Sequence, residues 1–360
     1  MPADHSSTSS IAPLAIRNIS RHVRARRKAA PLAVHMGKHF GRVIEANASF
    51  AIILDQGLEL ELESTAGKPV DPDDEWVMRA FKGLCRMYDT QKDCNSKGIL
   101  ESLRDPEGGM QFRNELCLSL QEGRSTGRTD DIMMLQNHIS VWPNSPITGA
   151  TTLGWNNPQC AMLLSTESMQ MDNQELLEQL RDGITEAPHD EIPRFCFEDE
   201  RFPTEPTNPL QGFGRSKLFV HVAMGIFNGP GSVKSARSGG SRGKAAKNGM
   251  TSFTKESIAY ISMLLRFVLR NSGGWYKISN EAVDTRFNYD IFYMEILALL
   301  EDPLFEKEVN DLLAFLNGKV FPHAHAHARR IRTGGSSMRQ KVADARARRI
   351  AEVEAAEAVA

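Results

Sequence analysis

The residues best suited to bind a ligand lie in a basic, glycine- and serine-rich stretch at positions 232–250. The stretch holds no acid and five cations, which are Lys234, Arg237, Arg242, Lys244 and Lys247. Glycine and serine allow backbone amides to turn towards an anion, and the side chains add positive charge. Binding to a phosphate backbone requires flexible cations more than a fixed geometry. We therefore predict that these five residues contact nucleic acid, and the alternative is a mobile surface loop without a ligand.

Positive charge is concentrated in two further segments, although the net charge of the chain is only −2. Residues 14–42 carry eight Lys or Arg and no acid, and residues 323–350 carry eight against one Asp. With the stretch at 232–250 these segments sum to +20, so the rest of the chain sums to −22. Basic segments on an acidic body predict either a polyanionic partner or pairing with the body itself.

The sequence lacks the signatures of the common catalytic and cofactor sites. The basic stretch has no GxxxxGK[ST] pattern and follows no predicted strand, which argues against a nucleoside triphosphate site. The letters GxSxG occur at 239–243 as GGSRG, but no predicted strand precedes them, so they do not predict a nucleophile elbow, and no HExxH pair occurs. The five cysteines include no CxxC pair, which argues against a zinc finger or a disulfide framework and favours a reducing compartment. We predict no cofactor and no bound metal.

Several titratable groups allow two interpretations. The alternating histidines 323, 325 and 327 would share one face of an extended segment, as metal ligands do, but a low-complexity Ala-rich tail is favoured. His221 lies in an apolar helix and is predicted to be a hydrogen-bonded core histidine. Neighbouring carboxylates are assigned to helix capping or solvation, and they are Asp71/Asp73/Asp74, Asp130/Asp131, Glu198/Asp199/Glu200 and Glu301/Asp302.

The elements that must position these groups are all predicted to be helices, because apolar residues recur every three or four positions and no alternating strand pattern appears. The predicted fold class is therefore all-α, a multi-helix body with disordered basic tails. Helices are expected at 33–62, after Asp71-Pro72, at 96–104, 110–121, 130–142, 158–165, 172–182 and 213–227, after Thr254, at 288–300 and after Asp302-Pro303.

A proline-rich acidic segment at 185–211 divides the helical body into two predicted lobes. Proline removes a backbone donor and disfavours helix before it, so this connector is predicted to be extended and, through its phenylalanines, packed on the helices. The predicted organisation is a disordered leader at 1–32, a lobe at 33–184, the connector, a lobe at 212–322 and a basic tail at 323–360 that includes a marginal helix.

The leader at 1–32 carries the only localisation signal. Its RARRK cluster fits nuclear import or nucleic-acid binding. Ile16, Ile19 and Val23 beside the arginines also fit a mitochondrial transit peptide. We predict a nuclear or cytoplasmic protein with a mitochondrial location as the alternative, and no membrane association because no apolar run approaches the length of a spanning helix.

Several motifs resemble an uncharacterised domain family abundant in mushroom-forming fungi. They are HMGKHFGRVIEANASF near the start, ISVWP in the middle, GRSKLFVHVAMGIFNGPGSV before the basic stretch, SIAYISMLLRFVLRNSGGW after it, and FYMEILALLEDP with EVNDLLAFLNGKVFP at the end. The resemblance covers about residues 33–322. It implies the extent of the domain, and it carries no activity, cofactor or site residue.

The predicted function is a non-enzymatic helical binding protein that contacts nucleic acid through the basic stretch and the tails. A protein–protein scaffold, whose C-terminal helix docks on a partner, is the first alternative. An unrecognised enzyme that uses the loop around Trp155 is the second.

Overall fold

A computed structural model describes residues 32–90, 98–150, 152–205, 207–234, 250–271 and 287–322. The predicted all-α class is confirmed, since these ranges contain helices, turns and a single isolated bridge between Phe197 and Phe213. The helices are α1 (32–43), α2 (Phe50–Thr65), α3 (Glu75–Asp89), α4 (Ile99–Leu103), α5 (Gly109–His138), α6 (Pro158–Leu164), α7 (Gln174–Asp182), α8 (Lys217–Asn228), α9 (Gly231–Lys234), α10 (Lys255–Arg270), α11 (Tyr289–Glu301) and α12 (Glu306–Val320). Both predicted tails lie outside the described residues, except Leu32.

Side-chain caps begin the helices where the sequence predicts them. Asp71 accepts a hydrogen bond from the Asp73 amide, and a 3-10 turn at Pro72–Asp74 leads into α3. Thr254 accepts from the Ser257 amide at 3.1 Å, and Asp302 accepts from the Leu304 amide at 2.8 Å. Each cap satisfies an amide that has no partner within its own helix, which explains why these short signals are reliable.

The helix predicted at 33–62 is wrong in one respect, because two helices occupy the range. α1 ends at residue 43 and α2 begins at Phe50. Glu45 Oε1 accepts hydrogen bonds from the amides of Asn47 and Ala48 at 2.7 and 3.0 Å. Ser49 then caps α2. Local side-chain hydrogen bonds therefore compete with the helix and turn the chain between α1 and α2.

The two helices predicted at 110–121 and 130–142 are one 30-residue helix, α5, which ends at His138. Gly123 and Gly127 lie between them but do not interrupt the helix, because α1 packs directly on them. A Cβ on Gly123 would lie 2.0 Å from the Val34 carbonyl oxygen. Glycine is therefore required here by the close approach of two helices and not by a turn.

The centre of the larger core is α10, in which every residue from Ser257 to Leu269 is buried. The sequence predicts one apolar stripe on this helix, but other segments surround it on all sides. A smaller cluster is built from residues of α1 to α5. Phe195 and Phe197 of the predicted connector are buried in the larger core, as expected, and the connector forms 3-10 turns at Arg194–Cys196 and Glu198–Glu200. The predicted division into lobes stays a prediction.

Candidate functional site

The structure describes the two ends of the basic stretch. Lys234 is the last residue of α9, and the chain is described again from Met250. The other four predicted contacts, Arg237, Arg242, Lys244 and Lys247, lie outside the described residues. The structure therefore describes this candidate site only through the residues at the two ends of the basic stretch.

Three phenylalanines join these two ends to the start of the C-terminal tail. Phe227 in the last turn of α8, Phe253 just before α10 and Phe321 just after α12 are all buried. Their ring centroids lie 5.1 Å apart for Phe227 and Phe253, 6.2 Å for Phe227 and Phe321, and 5.5 Å for Phe253 and Phe321. We call these three residues the aromatic anchor.

Polar contacts fix the chain on either side of the aromatic anchor. The Asn228 side-chain amide donates to the Val320 carbonyl at 2.6 Å, and the Phe253 amide donates to the Asn317 side chain at 2.7 Å. Ser232 Oγ donates to the Gly229 carbonyl at 2.7 Å, which closes the turn before α9. As a result, both ends of the basic stretch and the start of the basic tail are held at one place on the molecule.

A basic–aromatic patch lies beside the anchor. The guanidinium of Arg215 is 4.7 Å and the ammonium of Lys319 is 5.6 Å from the ring centroid of Phe315, within cation–π range. Phe315 lies five residues before Val320, at the end of α12, which is about 8 Å along the helix axis. This patch was not predicted from the sequence. The spacing of Phe315 and Lys319, one helical turn apart, is the signal that was available.

The described body is acidic except in the segments that flank the basic stretch. All described residues together contain 21 Lys or Arg and 37 Asp or Glu, a net charge of −16. Within them, the ranges 207–234 and 250–271 contain six basic residues and one acid. The range 152–205 instead contains three basic residues and twelve acids. The ranges on either side of the basic stretch are thus the least acidic of the described chain, whereas 287–322, which carries Phe321, contains two basic residues and seven acids.

Asp130 and Asp131, which were assigned to helix capping or solvation, lie inside α5, so capping is wrong for both and solvation is wrong for the buried Asp131. Asp131 is fully buried and accepts from Arg42 Nε at 2.6 Å, from Arg42 Nη2 at 2.8 Å and from the Tyr260 hydroxyl at 2.9 Å. Burial alone would lower the pKa of Arg42, but the charge of Asp131 and its hydrogen bonds raise it. Asp130 forms an exposed ion pair with Lys38 at 2.8 Å.

These ion pairs change the interpretation of the basic segment at 14–42. Lys38 and Arg42 are paired with Asp130 and Asp131, and of the two only Arg42 is buried and out of reach of a polyanion. Arg124 and Arg128 of α5 also hold the turn after α1, since they donate to the Ala48 carbonyl and to Asn47 Oδ1 at 2.6 and 2.9 Å. Burial, and then the like charge of Arg128, lower the pKa of Arg124 to about 10. This network is structural and joins α1, α5 and α10.

The remaining candidate groups give little support to catalysis. His221 Nδ1 has no hydrogen-bond partner within the described ranges, so the predicted hydrogen bond is not found at that atom, and burial lowers the pKa of the ring. Trp155 is buried, and it lines neither the groove at residues 168–170 nor the one at residues 100–106. The histidines at 323, 325 and 327 lie outside the described residues. Burial raises the pKa of the Cys85 and Cys160 thiols to about 12 and about 11, which disfavours reactive thiolates.

Within the described ranges, no group of three or more His, Cys, Asp or Glu side chains is arranged to hold a metal ion. None of the described helices combines the length and the apolarity that a membrane crossing requires.

Comparison with known proteins gives one match. Residues 122–321 match the model of a family of unknown function (DUF6698). The match confirms the predicted resemblance over this range and begins 89 residues after the predicted start at 33. It contains the aromatic anchor, the basic–aromatic patch and Asp131, whereas α1 to α4 precede it. No curated protein and no protein of solved structure matches the chain.

Proposed function

The chain belongs to this family of unknown function, and we propose that it is a non-enzymatic binding protein that contacts nucleic acid at the end that carries the aromatic anchor. The observation that carries the proposal is the convergence of two basic segments. Both ends of the stretch at 232–250 and the start of the tail at 323 are held by Phe227, Phe253 and Phe321. Thirteen Lys and Arg residues of 232–250 and 323–350 are therefore tethered to one place.

Charge and stacking both favour nucleic acid as the partner. Flexible cations bind the phosphate backbone by releasing condensed counterions, which gives affinity without sequence preference. Phe315 is half-buried with Arg215 and Lys319 over its ring, and an unpaired base that stacks on it would take the place of one of these cations. The acidic remainder of the body would repel nucleic acid and direct it to this end. Single-stranded nucleic acid is the form that uses both features.

The test is fluorescence anisotropy of the full chain with labelled single- and double-stranded oligonucleotides across a salt series. We expect the logarithm of affinity to fall linearly with the logarithm of salt concentration. The double variant Lys244→Glu/Lys247→Glu should bind more weakly and reduce the magnitude of the slope by about 2. Arg104→Glu/Arg181→Glu is the matched control, because both arginines are exposed, one at the end of α4 and one in α7, and the charge change is equal.

Equal losses in the two double variants would mean that net charge alone determines binding, and the assignment to 232–250 would be abandoned. No binding at low salt would remove nucleic acid as the partner and leave the protein scaffold as the interpretation to test. Phe315→Ala should weaken single-stranded binding more than double-stranded binding, because only an unpaired base stacks on the ring.

A nuclear location accompanies this proposal. It is supported by the RARRK cluster of the leader, which is separate from the paired residues Lys38 and Arg42. A fluorescent reporter fused to residues 1–35 should accumulate in nuclei. Accumulation in mitochondria instead would identify the leader as a transit peptide.

A further inference from the structure

A second arginine, Arg266, is fully buried in the larger core on the central helix α10. Its Nη1 donates to the Leu164 carbonyl at 3.4 Å, near the limit for a hydrogen bond. Its Nε and Nη2 have no hydrogen-bond partner within the described ranges. Unsatisfied charged donors in a core are rare and costly, so these two atoms require an explanation.

The surroundings of Arg266 hold the guanidinium in place but do not neutralise it. Its central carbon lies 3.7 Å from the centroid of the Phe287 ring and 5.9 Å from that of Phe292. Burial lowers the pKa of Arg266 to about 10, so the side chain remains charged at neutral pH. The nearby Glu186 is paired through Oε1 with Arg270, at 2.5 Å to Nη2 and 2.7 Å to Nε, whereas its Oε2 is buried without a hydrogen-bond partner in the described chain.

The pairing of Arg42 with Asp131 shows which chemical group can bind the unpartnered side of the Arg266 guanidinium. Nε and Nη2 form one side of the guanidinium, and in Arg42 the same two atoms bind both carboxylate oxygens of Asp131. A planar carboxylate matches this pair of donors because both N–H groups are parallel. Water can satisfy one donor, but it supplies no negative charge.

Other unpartnered donors lie in the same region. Thr166 Oγ1 is buried without a hydrogen-bond partner in the described chain and follows Leu164 by two residues. Trp155 Nε1 is also buried without one. It adjoins Gly154, whose amide donates to the Leu269 carbonyl at 2.8 Å, one turn beyond Arg266. A ligand that accepts hydrogen bonds suits this set, because the free atoms are mainly donors.

A surface groove is lined by residues close to Thr166 in the sequence, but by neither Thr166 nor Arg266. A groove of about 380 Å³ is lined by Ser168, Met169, Glu186, Ala187 and Pro188 among others. Its first lining residue, Ser168, follows Thr166 by two positions. Glu186 also lines the groove, and its negative charge raises the pKa of Arg266.

From this geometry we propose that Arg266 anchors a binding site for a small carboxylate ligand, which its Nε and Nη2 hold bidentately and which Thr166 contacts through its hydroxyl. The site is independent of the nucleic-acid interface, since the anchor lies at the other end of α10, next to its first residues. It lies within the range that matches the family. The bound ligand would supply the hydrogen-bond acceptors that Nε and Nη2 of Arg266 lack within the described core.

The experiment measures the thermal unfolding temperature of the full chain while sodium chloride is replaced by sodium acetate at constant ionic strength. A ligand that binds only the folded state raises this temperature with a saturable dependence on concentration. We expect a rise of about 2 °C or more for the natural sequence. The matched control Arg201→Met, at an exposed arginine, should respond equally, and Arg266→Met should not respond.

Arg266→Lys keeps the positive charge but lacks the two parallel donors, so acetate should raise its unfolding temperature less than that of the natural sequence. If Arg266→Met does not fold, Arg266→Lys serves as the test variant in its place. Sodium phosphate is the comparison anion. A larger shift with phosphate than with acetate would overturn the assignment to a carboxylate. An acetate response that is absent, or equal in the natural sequence and the Arg266 variants, would overturn the site and leave an internal water at the free donors.

Discussion

Arg42 and Arg266 are both buried, and each presents the same edge of its guanidinium to the interior, but their partners differ. Arg42 meets Asp131, and the Tyr260 hydroxyl also donates to that carboxylate. Arg266 meets the faces of Phe287 and Phe292 and one distant carbonyl. The same charged group is therefore enclosed by a complete set of partners in one region and by an incomplete set in the other.

The difference separates a structural ion pair from a candidate binding site. A buried charge is tolerated when an opposite charge and further hydrogen bonds satisfy it. At Arg42 all of these come from the chain, and they join α1, α5 and α10. At Arg266 the chain supplies aromatic surface, and within the described ranges no carboxylate forms a hydrogen bond with Nε or Nη2. Truncations should therefore destabilise the first region strongly and the second weakly, and added carboxylate should stabilise only the second.

The largest effect is expected for Asp131→Asn. The substitution leaves the guanidinium of Arg42 buried without a counter-charge, which costs on the order of 3–5 kcal/mol of unfolding free energy. Urea denaturation monitored by circular dichroism measures the loss. Asp130→Asn is the matched control on the next residue, because its ion pair with Lys38 is exposed and contributes about 1 kcal/mol or less. Similar losses at the two positions would contradict the structural role of Asp131.

The second effect is a pH dependence from His39, which lies in α1 one turn before Arg42. Burial first, and then the charges of Arg42 and His35, lower the pKa of His39 from 6.5 to about 4. Between these values the unfolded chain binds more protons than the folded chain, so stability must fall as the pH falls from about 6.5 to about 4. The full loss is on the order of 3 kcal/mol.

Urea denaturation at several pH values tests this dependence. His39→Gln should flatten the stability profile between pH 6.5 and pH 4, because glutamine does not titrate. An unchanged profile in the variant would show that other groups cause the acid sensitivity. No histidine contributes to the pKa shift of Arg266, so the stability of Arg266→Met should depend on pH in the same way as that of the natural sequence.

The comparison also shows which features the sequence could predict. Helix starts at Asp71, Thr254 and Asp302 were predictable because a cap is decided by residues two or three positions apart. The pairing of Arg42 with Asp131 spans 89 positions and depends on the packing of α1 against α5. The repeated spacing of Gly37 with Gly41, and of Gly123 with Gly127, was the one local sign of that packing.

Other features had no local sign. Arg266 follows the periodic apolar residues of α10 and reads from sequence as an exposed position, but this helix is enclosed on all sides. The aromatic anchor joins residues that lie up to 94 positions apart, from Phe227 to Phe321. Tertiary packing decides both features, and helical periodicity carries no information about which distant segments meet.

The smallest effect, and the one that sharpens the comparison most, comes from removing one hydroxyl in each region. Tyr260→Phe deletes a hydrogen bond to the buried Asp131 carboxylate and should cost about 1.5–3 kcal/mol of unfolding free energy. Thr166→Val deletes a buried hydroxyl that has no partner within the described ranges, and should change stability by about 0.5 kcal/mol or less in chloride. Urea denaturation of both variants measures the difference.

Acetate then distinguishes the two hydroxyls a second time. If a carboxylate occupies the free edge of Arg266 and accepts from Thr166, the Thr166→Val variant should gain less stability from acetate than the natural sequence gains. Tyr260→Phe should gain as much as the natural sequence, because its hydroxyl belongs to a carboxylate site that Asp131 already fills. If Thr166→Val lowers the unfolding free energy by the same amount in chloride and in acetate, the hydroxyl contributes to packing alone. In that case the two regions would differ in the completeness of their hydrogen bonds and not in their capacity to bind a ligand.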